Sequence, residues 1–130
     1  MSGGPVPDRD TLDLAHRLLD AAREGNSVIL GGYLAAGAPV SLSTASGDSL
    51  LMLAAYHGHA ETVRLILAHG GDANTANDRG QTPLAGAVFK GYTDVAAALL
   101  DAGADPDAGT PSARDAAAMF ARDEILALLR

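Results

Sequence analysis

Cysteine and tryptophan are absent from the 130-residue sequence, lysine occurs once, at Lys90, and aromatic residues make up only 4%. Without cysteine there is no disulfide, no thiolate nucleophile and no zinc site built on sulfur. The formal charge is −7 and the pI is near 4.7. No basic run offsets that charge, so the chain lacks the clustered Lys and Arg that release counterions from a phosphate backbone or hold an anionic membrane surface. Nucleic acid and membranes are therefore not expected as partners. Long hydrophobic runs are missing too. The longest mostly apolar segment, "VILGGYLAAGAPV", is too short and too Gly-rich to span a bilayer. The opening "MSGGPVPDRDTLDLAHRLLD" has neither the basic nor the apolar region of a secretory signal. A cytoplasmic location is the expectation.

What the chain does have is alanine, leucine and glycine. Hydrophobic residues reach 48%, mostly small or aliphatic, a composition that favours helices packed closely through small side chains. The length suits one domain. Glycines recur at one period: Gly25, Gly58 and Gly91 are spaced by 33, as are Gly37, Gly70 and Gly103, and Gly47 and Gly80. The text between them recurs as well. "AAREGN", "AAYHGH" and "AVFKGY" align without gaps, as do "YLAAGAPVS", "ILAHGGDAN" and "LLDAGADPD".

Each unit has a physical grammar. Ser49 or Thr82 can cap a first short helix, and Pro83 fits the first helical position. Ala54, Ala55, Gly86 and Ala87 keep that helix slim enough for close approach. Gly58 and Gly91 end it in a turn that calls for positive φ. A second helix carries Val63, Ile66 and Leu67, or Val95, Leu99 and Leu100, on one apolar face. Gly70 and Gly103 suit its left-handed terminus. One such pair cannot bury its own faces, so neighbouring units must stack into a short solenoid.

These units resemble the ankyrin repeats. The family's pattern, G-x-T-P-L-H-x-A-A-x-x-G-H followed by a Leu-rich helix and G-A-D, is visible in "GQTPLAGAVFKGY", "GDSLLMLAAYHGH" and "DAGADPD". The resemblance implies an all-α helix-turn-helix solenoid of about four repeats with capping terminal units. A flexible segment, 1–9, precedes a repeat domain, 10–130, divided into units 10–43, 44–76, 77–109 and 110–130. Met52 and Ala85 stand where the family has His, so the hydrogen bonds of that residue are missing, and Leu50 replaces the Pro. Residues 10–37 read as an N-terminal cap with Asp13, Arg17 and Asp20 facing outward. The last unit fits when the register shortens by three, aligning Ala121 with Gly91, and Arg122, Asp123, Glu124 and Arg130 make it a solvated C-terminal cap. A high Ala content and a preference for Arg over Lys point to a GC-rich bacterial source, and the resemblance is to small, stand-alone ankyrin-repeat proteins of bacteria.

No catalytic constellation is recognisable. There is no G-x-S-x-G and no phosphate-loop sequence, and Ser and Thr lie chiefly at caps and turns. His57 and His59, two apart across a helix-ending Gly, would point in different directions, and a metal would need further ligands that no spacing supplies. His59 occupies a turn-packing column with Asn26 and Tyr92. Asp72, Asp105 and Asp107 each follow a helix-ending Gly and suit local turn hydrogen bonds rather than a calcium loop. No metal, cofactor or enzymatic activity is expected.

In ankyrin-like proteins the concave surface is built from first helices and loop tips. Two columns before the turn read Arg23, Tyr56, Phe89 and Met119 beside Glu24, His57, Lys90 and Phe120. The resemblance implies a partner-binding strip of Tyr56, Phe89 and Met119 flanked by Arg23, His57 and Lys90, with Ser46, Asp48, Asp78, Arg79 and Gln81 at the loop tips. The expected function is a non-enzymatic protein–protein interaction module acting as a monomer, its acidic surface suited to a basic protein. The alternative is a regulatory or protective accessory protein, inhibitor-like or chaperone-like, of one enzyme.

Overall fold

Three hydroxyls set the starts of the inner helices. In a computed structural model of the protein, describing residues 9–129, Ser49, Thr82 and Ser112 have extended backbones. Each hydroxyl accepts a hydrogen bond from the amide three residues on, those of Met52, Ala85 and Asp115, at 3.0–3.1 Å. Caps of this kind contribute about 1 kcal/mol each. Pro83 occupies the first turn after Thr82.

The helices run α1 (Arg9–Glu24), α2 (Ser27–Ala35), α3 (Leu50–Tyr56), α4 (Ala60–Ala68), α5 (Pro83–Lys90), α6 (Thr93–Asp101), α7 (Ala113–Met119) and α8 (Asp123–Leu128). Among the described residues there are helices and no strands, apart from one isolated bridge between Ser43 and Ser49. The odd-numbered helices pack in order as one layer and the even-numbered as a second, each pair joined by a tight turn. The expected all-α stack of four helix pairs is thus present. The flexible segment expected over 1–9 lies outside the described residues, except for Arg9, which opens α1.

The turns explain the glycine period. Gly25, Gly58 and Gly91 have φ of 75°, 81° and 79°, left-handed values that an L side chain resists. They are also covered. A methyl group would come within 2.5 Å of His59 Nδ1 at Gly25, 3.0 Å of the Tyr92 ring at Gly58 and 3.1 Å of the Arg122 guanidinium at Gly91. Residues 59, 92 and 122 therefore form one column in which each unit closes the turn of the unit before it. Two of them also bond backbone there. His59 Nε2 donates to the Arg23 carbonyl at 2.9 Å, and Arg122 donates from Nε to the Val88 carbonyl at 3.3 Å and from Nη2 to that of Phe89 at 2.8 Å.

This column settles the last unit. Ala121 has φ 52°, the left-handed place that glycine holds elsewhere, so the register does shorten by three. Arg122, expected as a solvated cap residue, is instead half-buried on the preceding turn, because it inherits the turn-closing position. Asp123 and Glu124 remain exposed, and Arg130 lies outside the described residues.

Between the layers lie Leu50, Val63, Ile66, Leu84, Val88, Val95 and Leu99, all fully buried. Each contributes about 1.5–3 kcal/mol on leaving water. Ala54, Ala55, Gly86 and Ala87 are buried as their small size requires. Met52 and Ala85, in the histidine column of the family pattern, are also buried. Apolar contact replaces hydrogen bonding there, and no buried side-chain N or O among the described residues lacks a partner.

The N-terminal cap is only half polar. Asp13, Arg17 and Asp20 on α1 face solvent as expected, whereas on α2 Val28 is 87% exposed and Ile29 46%.

The acidic loops resolve as turns. Asp72 accepts from the Asn74 amide and Asp105 from the Asp107 amide, both at 2.9 Å. Asn74 bridges the two loops, donating to the Gly103 carbonyl at 3.1 Å and accepting from the Asp105 amide at 2.7 Å. Asp107 pairs with Arg114 Nε at 2.8 Å, and Arg114 Nη1 also donates to the Leu129 carbonyl at 3.1 Å. The hydrogen bond from Arg114, aided by its charge, holds the Asp107 carboxyl below its ordinary value of 3.8.

Gly25→Ala is expected to destabilise by about 2 kcal/mol or more, combining left-handed strain with a clash on His59. Ala121→Gly is expected to stabilise by roughly 1 kcal/mol despite the looser unfolded chain, because the left-handed penalty of about 1–2 kcal/mol disappears. Urea midpoints at unchanged m-value measure both. A depressed folded pKa stabilises above the unfolded value and loses that contribution as pH falls through the lowered one. The stability gap between the native chain and Arg114→Ala should therefore be constant near neutrality and narrow below pH 3.8, followed by urea titration across acid pH.

Candidate functional site

The buried faces of α3, α5 and α7 stop at Ala55, Val88 and Ala117, and the residues that follow them are half-buried or exposed. Tyr56 and His57, Phe89 and Lys90, and Met119 and Phe120 stand at these ends in three consecutive units. Phe89 is 47% exposed, Met119 68% and Phe120 41%, while Tyr56 is half-buried. The Phe89 and Phe120 rings meet edge to face at 5.1 Å between centroids, the favoured arrangement of aromatic pairs. Lys90 Nζ lies 5.1 Å above the Tyr56 ring, and the His57 ring meets Tyr56 edge-on at 5.7 Å. The residues of the expected strip thus fall into two contacting groups, Tyr56 with His57 and Lys90, and Phe89 with Phe120, and Tyr56, Phe89, Met119 and Phe120 line one hollow.

Beneath them are two adjoining hollows. One, of about 270 Å³, is walled by Tyr56, Phe89, Met119 and Phe120 over a floor of Ala85 and Gly86. The hollow stays open because Gly86 has no side chain: a methyl group there would lie 3.3 Å from Tyr56 Cδ2. The other, of about 260 Å³, brings the polar groups of Asp48, His57, Arg79 and Gln81 beside Met52, Leu53 and Tyr56.

The loop tips on the polar side are fixed by a residue that the repeat pattern does not single out. Asn77 is buried, 7% exposed, between two tips. Its Nδ2 donates to Asp48 Oδ1 at 2.8 Å and to Gln81 Oε1 at 2.9 Å, while its Oδ1 accepts from the amides of Arg79 and Gln81 at 3.0 Å. The Asp78 amide donates to the Ser46 carbonyl at 3.0 Å and links one tip to the next. Asp48 and Gln81 are therefore held in place, and Ser46, Asp78 and Arg79 are exposed at the rim. An Asn opening the turn "NDRG", with Thr44 33 positions earlier, was the available signal. Arg23 is not brought to the strip: it pairs with Asp20 at 2.7 Å and lines a separate hollow with His16 and Leu19.

The two histidines do not converge on a metal. Their rings, expected to point apart, lie with planes 9° apart and centroids 6.5 Å apart, because the left-handed turn at Gly58 folds the chain back on itself. Each donates a ring N–H to a main-chain carbonyl, His57 Nδ1 to Leu53 at 2.8 Å and His59 Nε2 to Arg23 at 2.9 Å. Among the described residues no group of three or more His, Asp or Glu is disposed to hold an ion. What the arrangement can do chemically is recognition: apolar contact in one hollow and hydrogen bonds or charge in the other.

Comparison with known proteins agrees with this architecture. A family model described as ankyrin repeats in three copies matches residues 18–110. A Pseudomonas aeruginosa protein named for its ankyrin repeats is 52% identical over 67 residues, which are 50% of this chain and 39% of that protein. A Treponema pallidum ankyrin repeat-containing protein is 39% identical over 66% of this chain and 29% of its own length. Mouse protein phosphatase 1 regulatory subunit 27 is 38% identical over 69% of this chain and 59% of its own. The chain thus spans less than two thirds of each of these relatives. Stacked helix pairs, a turn column closed by the following unit and a family match across most of the length have one meaning: the chain belongs to the ankyrin repeat family, whose repeats are general protein–protein interaction modules.

Proposed function

We propose that this protein is a non-enzymatic binding module that grips another protein through the concave face, with Tyr56, Phe89 and Met119 as anchors, His57 and Lys90 beside them and the loop tips at the rim. The observation carrying this reading is the grouping of exposed Phe89, Met119 and Phe120 with half-buried Tyr56 around one hollow across three units, beside a second hollow whose loop tips are already fixed by Asn77. Large rigid side chains at a pre-ordered surface supply contact area with little entropy loss. The acidic charge of −7 supports a protein partner over a nucleic acid or an anionic membrane, in a cytoplasmic setting, and no helix among the described residues is long and apolar enough to cross a membrane.

A second reading has its own support. One relative is named a regulatory subunit of a phosphatase, and a small module of this kind suits an accessory role, restraining or protecting a single enzyme. Co-purification with one stoichiometric enzyme whose activity changes on removal of this chain would favour it over a general scaffold.

The test of the face is the double variant Tyr56→Ala with Phe89→Ala. Both side chains are partly exposed, so the helical content should persist. The affinity for a partner captured from native lysate is expected to fall by about 2 kcal/mol or more, roughly thirtyfold, by titration calorimetry. An unchanged affinity with intact fold would remove the strip from the interface.

A further inference from the structure

The repeat columns expose a second surface, at the opposite end of the stack from α7 and α8. In the inner units, the columns of Ile29 and Tyr33 are covered by the preceding unit. Thr62 and Val95 are 1% and 0% exposed, and Ile66 and Leu99 are both at 0%. In the first unit the same columns open outward: Ile29 is 46% exposed and Tyr33 half-buried. The neighbouring column is more telling. Glu61, Asp94 and Glu124 supply an acidic residue to the first turns of α4, α6 and α8, where negative charge favours the helix dipole. At the same place α2 carries Val28, 87% exposed. The chain gives up a favourable, soluble acid for an apolar side chain projecting into water.

Beside that projection is a hollow of about 760 Å³ between α1 and α2, with Ala21, Gly32 and Ala36 among its lining residues and Arg17 and Glu24 along its α1 side. Gly32 is exposed, and a methyl group there would meet nothing within 4 Å. Knob and socket thus share one face. The charges share it too. Asp20 is matched within the chain by Arg23, whereas Arg17 and Glu24 form no ion pair among the described residues. They lie seven residues apart on α1, about 10.5 Å along the axis. Two copies of α1 crossing antiparallel near Asp20 and Ala21 bring each Arg17 to the other copy's Glu24.

We infer that this face is the contact of a two-fold, head-to-head dimer, Val28 of each copy entering the hollow of the other and Arg17 pairing with Glu24 across the axis. The surface continues the stacking interface that the inner units already use. A two-fold contact needs one self-complementary patch on each copy, and this face carries knob, socket and both charges. The assembly therefore closes at two copies and does not grow into a filament. Little of the net charge of −7 opposes it locally: the charged residues lining the hollow are Arg17, Asp20 and Glu24, and Asp20 is already paired with Arg23 at 2.7 Å.

Sedimentation equilibrium of the full chain tests this over a dilution series up to about 1 mM. A reversible monomer–dimer equilibrium is expected, weakened at least tenfold by Val28→Glu with an unchanged helical circular dichroism spectrum. Arg17→Glu and Glu24→Arg should each weaken it about tenfold, and the variant carrying both should recover to within about threefold of the native chain, because reversed charges pair again only if the two positions face each other. Four outcomes overturn the inference: a monomer at every concentration; a dimer indifferent to Val28→Glu; a charge-swapped variant no better than its parents; or a monomer that dimerises only once residues 1–8 are removed, which would put that segment on the face.

Discussion

A helix pair of this size has apolar surface on more sides than it can cover with its own residues, and the whole architecture follows from where the remainder is covered. The turn between paired helices is where that requirement is strictest. Gly25, Gly58 and Gly91 hold the backbone left-handed, and His59, Tyr92 and Arg122 of the following unit lie directly against them. A ring or guanidinium there packs against the turn, and in two cases it also bonds carbonyls at the end of the preceding inner helix. Side-chain identity is free to differ among His, Tyr and Arg because the shared constraint is shape, to which His59 and Arg122 add a donor. Stacking fixes the distance between inner helices, and that distance brings the Phe89 ring to Phe120 and Lys90 to Tyr56.

The parts of the molecule legible in the sequence are those on which the period acts repeatedly. Caps at Ser49 and Thr82, turns at Gly58 and Gly91, and the buried Ile66 and Leu99 recur, so one copy predicts the next. The shortened last unit was legible for the same reason, since Ala121 and Arg122 keep their places relative to Ile125 even though the preceding loop does not. The strip from Tyr56 to Phe120 was visible as a column of residues with large side chains ahead of the turn. What the period could not give is the pairing of unlike residues that occur once. Asn77 gathers Asp48 and Gln81, and Asn74 joins two loops, through distances set by the stack and not by spacing along the chain. The parallel rings of His57 and His59 escaped notice because two residues across a left-handed glycine do not obey helical geometry. Arg23 shared the column of Tyr56 but has Asp20 one turn back on its own helix, a local charge that draws it away.

The two ends of the strip differ in kind. Toward α7 the side chains are apolar and the neighbouring floor is Ala and Gly, so contact there depends on shape. Toward α3 the hollow is bounded by Arg79, His57 and the fixed Asp48 and Gln81, so contact there depends on direction and charge. A face graded in this way can position a ligand by its polar end while its apolar end supplies the burial, and neither end requires a main-chain movement. Substitution at the rim should alter partner choice more than foldedness, since Asp78 and Arg79 send no side chain into the core.

The turn-closing column also has a direction. His59, Tyr92 and Arg122 each reach back toward the N-terminus, and none reaches forward. Every unit therefore leans on its predecessor. The first pair is the foundation of the stack and the last is its dependant, anchored by Arg122 yet starting its final helix from a left-handed alanine. Removal of the terminal unit uncovers one glycine turn, whereas loss of the first deprives His59 of both its carbonyl and its seat and loosens everything built above it. The molecule is polar in the sense that a row of leaning books is polar, yet the inner pairs are held from both sides while each terminal pair has a neighbour on one side only.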